Sequence, residues 1–280
     1  GVTEHDAVKK LQGSKYVQST LGNSFAEIRS YLQSKRVVLF SGTPCQVDAL
    51  KHYLRDMDTS GLFTMDLVCH GVPSSKLFRD YLETLKRKER ATISDFSFRD
   101  KTDGWGLNAR YTVTSQDTEE SRYRQLSPGI SSYYTYFLKS EIYRENCYSC
   151  RYAGPNRAGD VTIGDFWGIE KEHPELLSEN GGRLCMQEGI SAVIVNNVQG
   201  QNLLARFGQN LDIHVSEIKK ASKWNRQLRA PSTHSKLRED LVKTYEKDGY
   251  PGMERVFRKE LGIRYPVRLI KQWIRQKTNR

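Results

Sequence analysis

The sequence predicts an α/β fold, α+β in part, with a parallel-sheet core, short antiparallel strands and a helical C-terminal appendage. Three observations carry this. Two strand–loop–helix units follow one another between residues 36 and 88, which implies a parallel sheet with right-handed crossovers. From about residue 92 short segments of alternating polarity read as antiparallel strands. From about residue 216 the pattern is mostly helical, broken at Pro231, at Gly249-Tyr250-Pro251 and at Pro266. The expected division is therefore a principal domain over 1–215 and a basic appendage over 216–280.

Taken in order, residues 4–12 predict a short helix, followed by the turn-like GSKYVQS over 13–19. SFAEIRSYLQ (24–33) is amphipathic, with Phe25, Ile28 and Leu32 on one face. RVVLF (36–40) is an apolar, β-branched strand, and Val47, Leu50 and Leu54 recur at helical spacing after it. In the connecting loop, Ser41 to Pro44, Thr43 fits as N-cap, Pro44 as the first helical residue and Gln46 as the third, a capping box. A second strand at about 62–68 leads through a Gly/Pro loop to a helix opening near Ser74 or Ser75. TISDFSFRDK, LNARYTVTSQ and SRYRQL supply the antiparallel strands. Residues 131–153 predict an aromatic-rich helix running into Cys147-x-x-Cys150, and 160–169 and 190–200 predict further strands, the last ending in a glycine turn.

Composition narrows the classes. Hydrophobic residues make up 37% and charged residues 28%, and no apolar run approaches the roughly 20 residues of a membrane span. No secretory signal opens the chain, which begins at Gly1 and is expected to lack upstream sequence. Five cysteines without such a signal argue against a disulfide framework and for a cytoplasmic protein that uses its thiols for metal or redox chemistry. The net charge of +11 is concentrated at the end, where residues 254–280 hold nine Lys or Arg against two Glu. Such a tail can meet nucleic acid, anionic lipid or an acidic protein. No stacking platform of aromatics accompanies it, so the tail is expected to be a solvated amphipathic helix and nucleic acid is not expected.

The chemistry concentrates in the cysteines. Cys45, second residue of its helix, sits where unpaired N–H groups and the helix dipole favour a thiolate. Cys69 ends the next strand, and carboxyl ends of parallel strands share the edge where ligands bind. Cys147 and Cys150 follow a helical pattern and precede a Gly/Pro loop, a placement that suits ligands better than a dithiol catalyst. Four thiolates suit a tetrahedral zinc or a 4Fe-4S cluster. The gaps of 24 residues between Cys45 and Cys69 and 78 between Cys69 and Cys147 favour the cluster, because structural zinc usually takes close pairs. Cys185 reads as a structural thiol. His70 is the catalytic candidate, placed to tune a cluster or protonate a reduced cofactor, with a loop hydrogen bond as the alternative. FRDKTDGWG (98–106) suits a phosphate, a flavin ring or an ordinary hairpin, and Asp165, Phe166 and Trp167 are equally ambiguous.

Together, GSKYVQS, LFSGTPCQVDALK, DLVCHGVPSSKLF, FRDKTDGWG, CYSCRYAGPNRAGDVTIGDFWGI and GISAVIVNNVQG resemble the coenzyme F420 hydrogenase/dehydrogenase beta-subunit family, in order from about residue 11 to 200. The resemblance implies FAD and a 4Fe-4S cluster, with Cys45, Cys69, Cys147 and Cys150 at the family's cysteine positions and Ser14, Lys15, Tyr16, Ser41, Gly42, Thr43 and Pro44 lining the flavin. It implies single-electron steps from cluster to flavin and hydride exchange with a small-molecule substrate or deazaflavin-type coenzyme. A ferredoxin or ferredoxin-like module is the redox partner it implies. Family members usually carry upstream flavin-domain sequence that this chain lacks, and the tail resembles bacterial polysaccharide-associated members. Two other classes compete: a zinc-stabilised basic module for nucleic acid or an acidic partner, and a thiol enzyme with Cys45 as nucleophile. Attachment of the basic tail to a membrane is a further possibility.

Overall fold

The computed structural model describes residues 1–102, 104–115 and 120–278, without the side chains of Lys10, Trp273 and 275–278. Asp103 of the FRDKTDGWG run, Gln116 at the end of an expected strand, and Arg280 of the basic tail lie outside the described residues. A 3-10 helix at His5–Leu11 precedes α1 (Ser24–Gln33), β1 (Val38–Gly42), α2 (Pro44–Tyr53), β2 (Leu62–Leu67) and α3 (Ser75–Glu89). β3 (Ala91–Ser97), β4 (Ala109–Ser115), β5 (Ser121–Leu126), α4 (Ser132–Leu138) and β6 (Val161–Asp165) follow. Then come α5 (Ile169–Glu172), β7 (Ser191–Val195), α6 (Val198–Phe207), α7 (Ile218–Trp224), α8 (Lys236–Leu261) and α9 (Arg264–Thr278).

The chain divides into two compact units, each built from separated segments. One, the sheet unit, comprises Thr20–His70 and Ser149–Ser232. Its strands run in the order β1-β2-β6-β7. β1, β2 and β6 are parallel, while β7 is antiparallel to β6. Period-2 alternation gives the sheet two faces. On one, Val38, Phe40 and Leu62 pack with Ile28 and Leu32 of α1 and Leu50 and Leu54 of α2, which is what the helical spacing of those residues predicts. By register the other face carries Leu39, Leu67, Val193 and Val195, all of which remain exposed.

The second, aromatic unit comprises Gly1–Ser19, Gly71–Tyr148 and the chain from Thr233 onward. β3, β4 and β5 form an antiparallel sheet, as their polar alternation predicts. Its core is built of rings: Tyr81, Tyr133, Tyr134, Tyr136, Tyr250 and Phe257 are almost wholly buried. Tyr81 stacks on Tyr133 with centroids 5.1 Å apart. A buried phenol needs a hydrogen-bond partner. Ser131 supplies one for Tyr81 at 2.9 Å, Ser132 one for Tyr250 at 2.9 Å, and the Phe98 carbonyl accepts from Tyr134 at 2.6 Å.

Several expectations are corrected. The aromatic helix ends at Leu138 and does not reach Cys147. There Ser140 adopts φ +63° and the N–H groups of Ser140 and Glu141 turn back to Phe137 and Tyr136, closing the helix without a glycine. The loop expected from Ser41 to Pro44 contracts to Thr43, since Ser41 and Gly42 extend β1 and Pro44 opens α2. The strand expected over 190–200 stops at Val195, and Asn197 caps α6 by accepting from Gly200 N at 2.9 Å. After residue 216, α7 falls in the sheet unit, while α8 places Leu241, Tyr250, Met253 and Phe257 in the aromatic core. α8 is interrupted where Gly249 takes φ +63°, two residues before Pro251.

Candidate functional site

The carboxyl edge of β1 and β2 carries the first two candidate thiols. Cys45 lies in the first turn of α2 and is exposed, and Cys69 follows β2 by two residues and is half-buried. The predicted capping box is present: Gln46 Oε1 accepts from Thr43 N at 3.0 Å and from Thr43 Oγ1 at 3.1 Å. Thr43 Oγ1 also stands 3.1 Å from Cys45 Sγ. The cap therefore fixes the backbone that presents the thiol and places a hydroxyl beside it.

The loop ahead of β6, which follows Cys150, is fastened to α2. One turn into α2, Asp48 Oδ2 accepts from Tyr152 Oη at 2.5 Å and from Arg151 at 2.7 Å. The Tyr152 hydroxyl holds the Asp48 carboxyl below its ordinary range; burial opposes this, and Arg151 and His52 add to it. The loop is fastened a second time by Arg157, whose guanidinium donates to Tyr152 O at 2.6 Å, Leu67 O at 2.7 Å and Asp66 Oδ1 at 3.1 Å. The side chains of Arg157 and Asp66 are 2% and 0% exposed. Asp66 Oδ2 accepts from Ala158 N and Gly159 N at 3.0 and 2.9 Å, so this buried carboxylate is saturated by the loop it anchors. Next in the chain, Asp160 accepts from Thr64 N and Thr64 Oγ1, both at 2.7 Å, from Asn197 at 2.9 Å and from Lys51 at 3.2 Å.

Cys147 lies in the aromatic unit, in a 3-10 turn at Glu145–Cys147. Arg144 N donates to Val72 O at 2.9 Å, which ties that turn to the segment three residues beyond Cys69. Glu145 pairs with His234 at 2.7 Å and Arg238 at 2.9 Å. Tyr148 Oη donates to Ser140 O at 2.5 Å, and burial pushes its pKa up to about 12. Gly71, in the Cys-His-Gly run, takes φ +121°, and a Cβ there would fall 2.4 Å from the Tyr143 ring.

His70 accepts at its carbonyl from Ser232 Oγ at 3.3 Å. It has exposed surface, yet surrounding protein desolvates the ring and lowers its pKa, against the pull of the Asp165 carboxylate. The expected flavin segments fall in different units, with Ser14, Lys15 and Tyr16 in the aromatic unit and Ser41 to Pro44 in the sheet unit. Lys15 Nζ folds back onto the carbonyls of Leu11, Gln12 and Gly13. Tyr16 stacks on Phe137 at 4.2 Å, receives Arg99 on its hydroxyl at 3.3 Å and accepts at its carbonyl from Tyr133 at 2.7 Å. The FRDKTDGWG run connects β3 to β4, and its Asp100 is buried with Oδ2 lacking a hydrogen-bond partner among the described residues. In IGDFWG, Gly164 admits Val68 and Gly168, at φ +78°, admits the Trp224 ring, so both glycines serve packing.

All five cysteines are free thiols. Cys185 stands apart, donating to Gln187 Oε1 at 3.3 Å. Among the described residues no three His, Cys, Asp or Glu side chains close into a coordination group. The donors nevertheless fit a thiolate-bound group in kind: Cys45, Cys69 and Cys150 belong to the sheet unit, and Cys147 lies three residues from Cys150 in the chain. Sequence reasoning missed the lacing residues Asp48, Asp66, Arg151, Tyr152 and Arg157. Only the polar arginines within the Gly/Pro loop RYAGPNRAGD signalled them.

The family model for the carboxyl-terminal part of the coenzyme F420 hydrogenase/dehydrogenase beta subunit matches residues 35–221. The match includes all five cysteines and every lacing residue, and leaves Ser14 to Tyr16 outside. No curated protein matches the chain.

Proposed function

The chain belongs to the coenzyme F420 hydrogenase/dehydrogenase beta-subunit family, and on that premise we propose that it is an iron–sulfur flavoprotein oxidoreductase acting within a larger redox complex. Cys45, Cys69, Cys147 and Cys150 would hold a 4Fe-4S cluster, and Ser41 to Pro44 would contribute to an FAD site. When bound, the pair of cofactors would supply single-electron transfer and hydride exchange with a substrate or deazaflavin-type coenzyme.

The observation that carries the reading is the double fastening of the Cys150 loop, by Asp48 beside the Cys45 turn and by Arg157 beside the end of β2. It fastens the segment that follows Cys150 to α2 and to the end of β2, which supports a shared role for Cys45, Cys69 and Cys150. The chain's own part is to hold these segments against solvent and thermal motion. His70 is placed beside a ligand position, where an imidazole can hold or release a proton. The apolar residues left exposed on the sheet, Leu39, Leu67, Val193 and Val195, support membership of a complex with a redox partner.

Cysteine variants purified anaerobically test the reading. Cys69→Ser should lose iron, sulfide and the broad visible absorption of a cluster, and Cys185→Ser should retain all three. Added FAD should give flavin absorption that bleaches when a reduced deazaflavin coenzyme is supplied. Equal loss in both variants, or an unbleached flavin, contradicts the assignment.

A further inference from the structure

α9 presents three distinct faces. Tyr265 and Leu269 pack against the aromatic core, and Gln272 lines a cavity of about 280 Å³ beside Leu269. A second row runs outward: Ile263, just before the helix, is 83% exposed, Val267 45%, Ile270 59% and Ile274 49%. At 100° per residue these four fall within about 60° of arc, well away from Tyr265 and Leu269. The third face is cationic: Arg264, Arg268 and Lys271 line one flank of that row. α9 contains five basic residues and no acidic one.

A solvated surface helix has no use for an outward apolar row in addition to its core-facing one. No described helix is long and apolar enough to cross a membrane. A helix of 15 residues, about 22 Å long, with an apolar row beside a purely cationic flank can lie in the plane of a bilayer interface. Its charge selects the partner, because the excess of Lys and Arg is attracted to anionic headgroups. Nucleic acid would be met by polar or stacking side chains, and branched aliphatic residues supply neither.

We propose that the outward face of α9 docks this protein on an anionic lipid surface, with Ile263, Val267, Ile270 and Ile274 entering the headgroup boundary and Arg264 and Lys271 meeting lipid phosphates. The docking is independent of the redox reading, since none of these residues belongs to the cysteine site.

Flotation of the full chain with vesicles tests it. Vesicles of phosphatidylcholine containing about 30 mol% phosphatidylserine should carry the protein at least about tenfold more efficiently than phosphatidylcholine alone, and added salt should weaken the association. Val267→Glu combined with Ile270→Glu should abolish flotation. Arg264→Gln combined with Lys271→Gln, exposed changes that leave the apolar row intact, should reduce flotation and its salt dependence while circular dichroism stays unchanged. Equal recovery on neutral and anionic vesicles, no recovery on either, or insensitivity to both pairs of substitutions overturns the proposal. It is also overturned if the Glu pair converts a dimer to a monomer without any change in vesicle binding, which would assign the row to contact between copies.

Discussion

Asp66 and Arg157 meet where neither side chain reaches water, so removing one leaves the other charged, buried and unpaired. Breaking a buried pair costs about 3–5 kcal/mol, far more than the pair contributes relative to an apolar replacement. Arg157→Met should therefore lower the urea midpoint of unfolding strongly, and Asp66→Asn in the same chain should recover part of the loss. A midpoint within experimental error of the parent would show that the lacing is dispensable. Asp160 shows the same logic through pH. Burial raises its pKa, but the hydrogen bonds from Asn197 and Thr64 and the charge of Lys51 outweigh it and set it below its ordinary 3.8. A carboxyl depressed on folding contributes stability that is full above its unfolded pKa and is lost as pH falls through the folded value. Stability should thus decline below about pH 4 with a slope that Asp160→Asn removes, read from urea midpoints across the acid range. An unchanged acid limb in that variant would contradict the account.

Among elements, the join of α6 to the sheet is the sharpest packing constraint. A Cβ at Gly200 would stand 2.2 Å from Asp160 O, a carbonyl that also accepts from Asn196 N at 2.9 Å. Helix propensity alone makes Gly200→Ala favourable by about 1 kcal/mol, whereas overpacking costs about 1–3 kcal/mol. The clash is with backbone that has nowhere to move, so the substitution should destabilise. A raised melting temperature in Gly200→Ala would show the opposite order of effects. This contact also explains why the sequence misled at 190–200. Local pattern shows a β-rich run ending in glycine and contains nothing of Asp160, so the cap at Asn197 and the packing role of Gly200 were invisible. By contrast α2 was legible to the residue, because Thr43, Pro44 and Gln46 encode its cap locally. The helix ending at Leu138 was not, since Ser140 adopts a left-handed conformation that its residue type does not announce.

At the scale of the molecule, two compact units draw on five chain segments, and the boundaries fall beside the chemistry: after His70 and after Tyr148. The Cys-His and Cys-x-x-Cys runs are where the chain passes from one unit to the other. Fold class was legible because strand–helix alternation is a local pattern. Long-range pairing was not legible, since Asp48 and Arg151, or Asp66 and Arg157, lie some 90 to 100 residues apart and satisfy each other only after folding. The packing of α8 was not legible for the same reason: Tyr250 and Phe257 look like any aromatics in a basic helix until the core that receives them exists.

The central claim is that Cys45, Cys69, Cys147 and Cys150 together bind a 4Fe-4S cluster. Its most direct test is quantification of iron, acid-labile sulfide and zinc in the chain purified without oxygen. About four irons and four sulfides per chain, with negligible zinc, is the result the account predicts. One zinc per chain without sulfide would contradict it, and would make the same thiols a structural metal site.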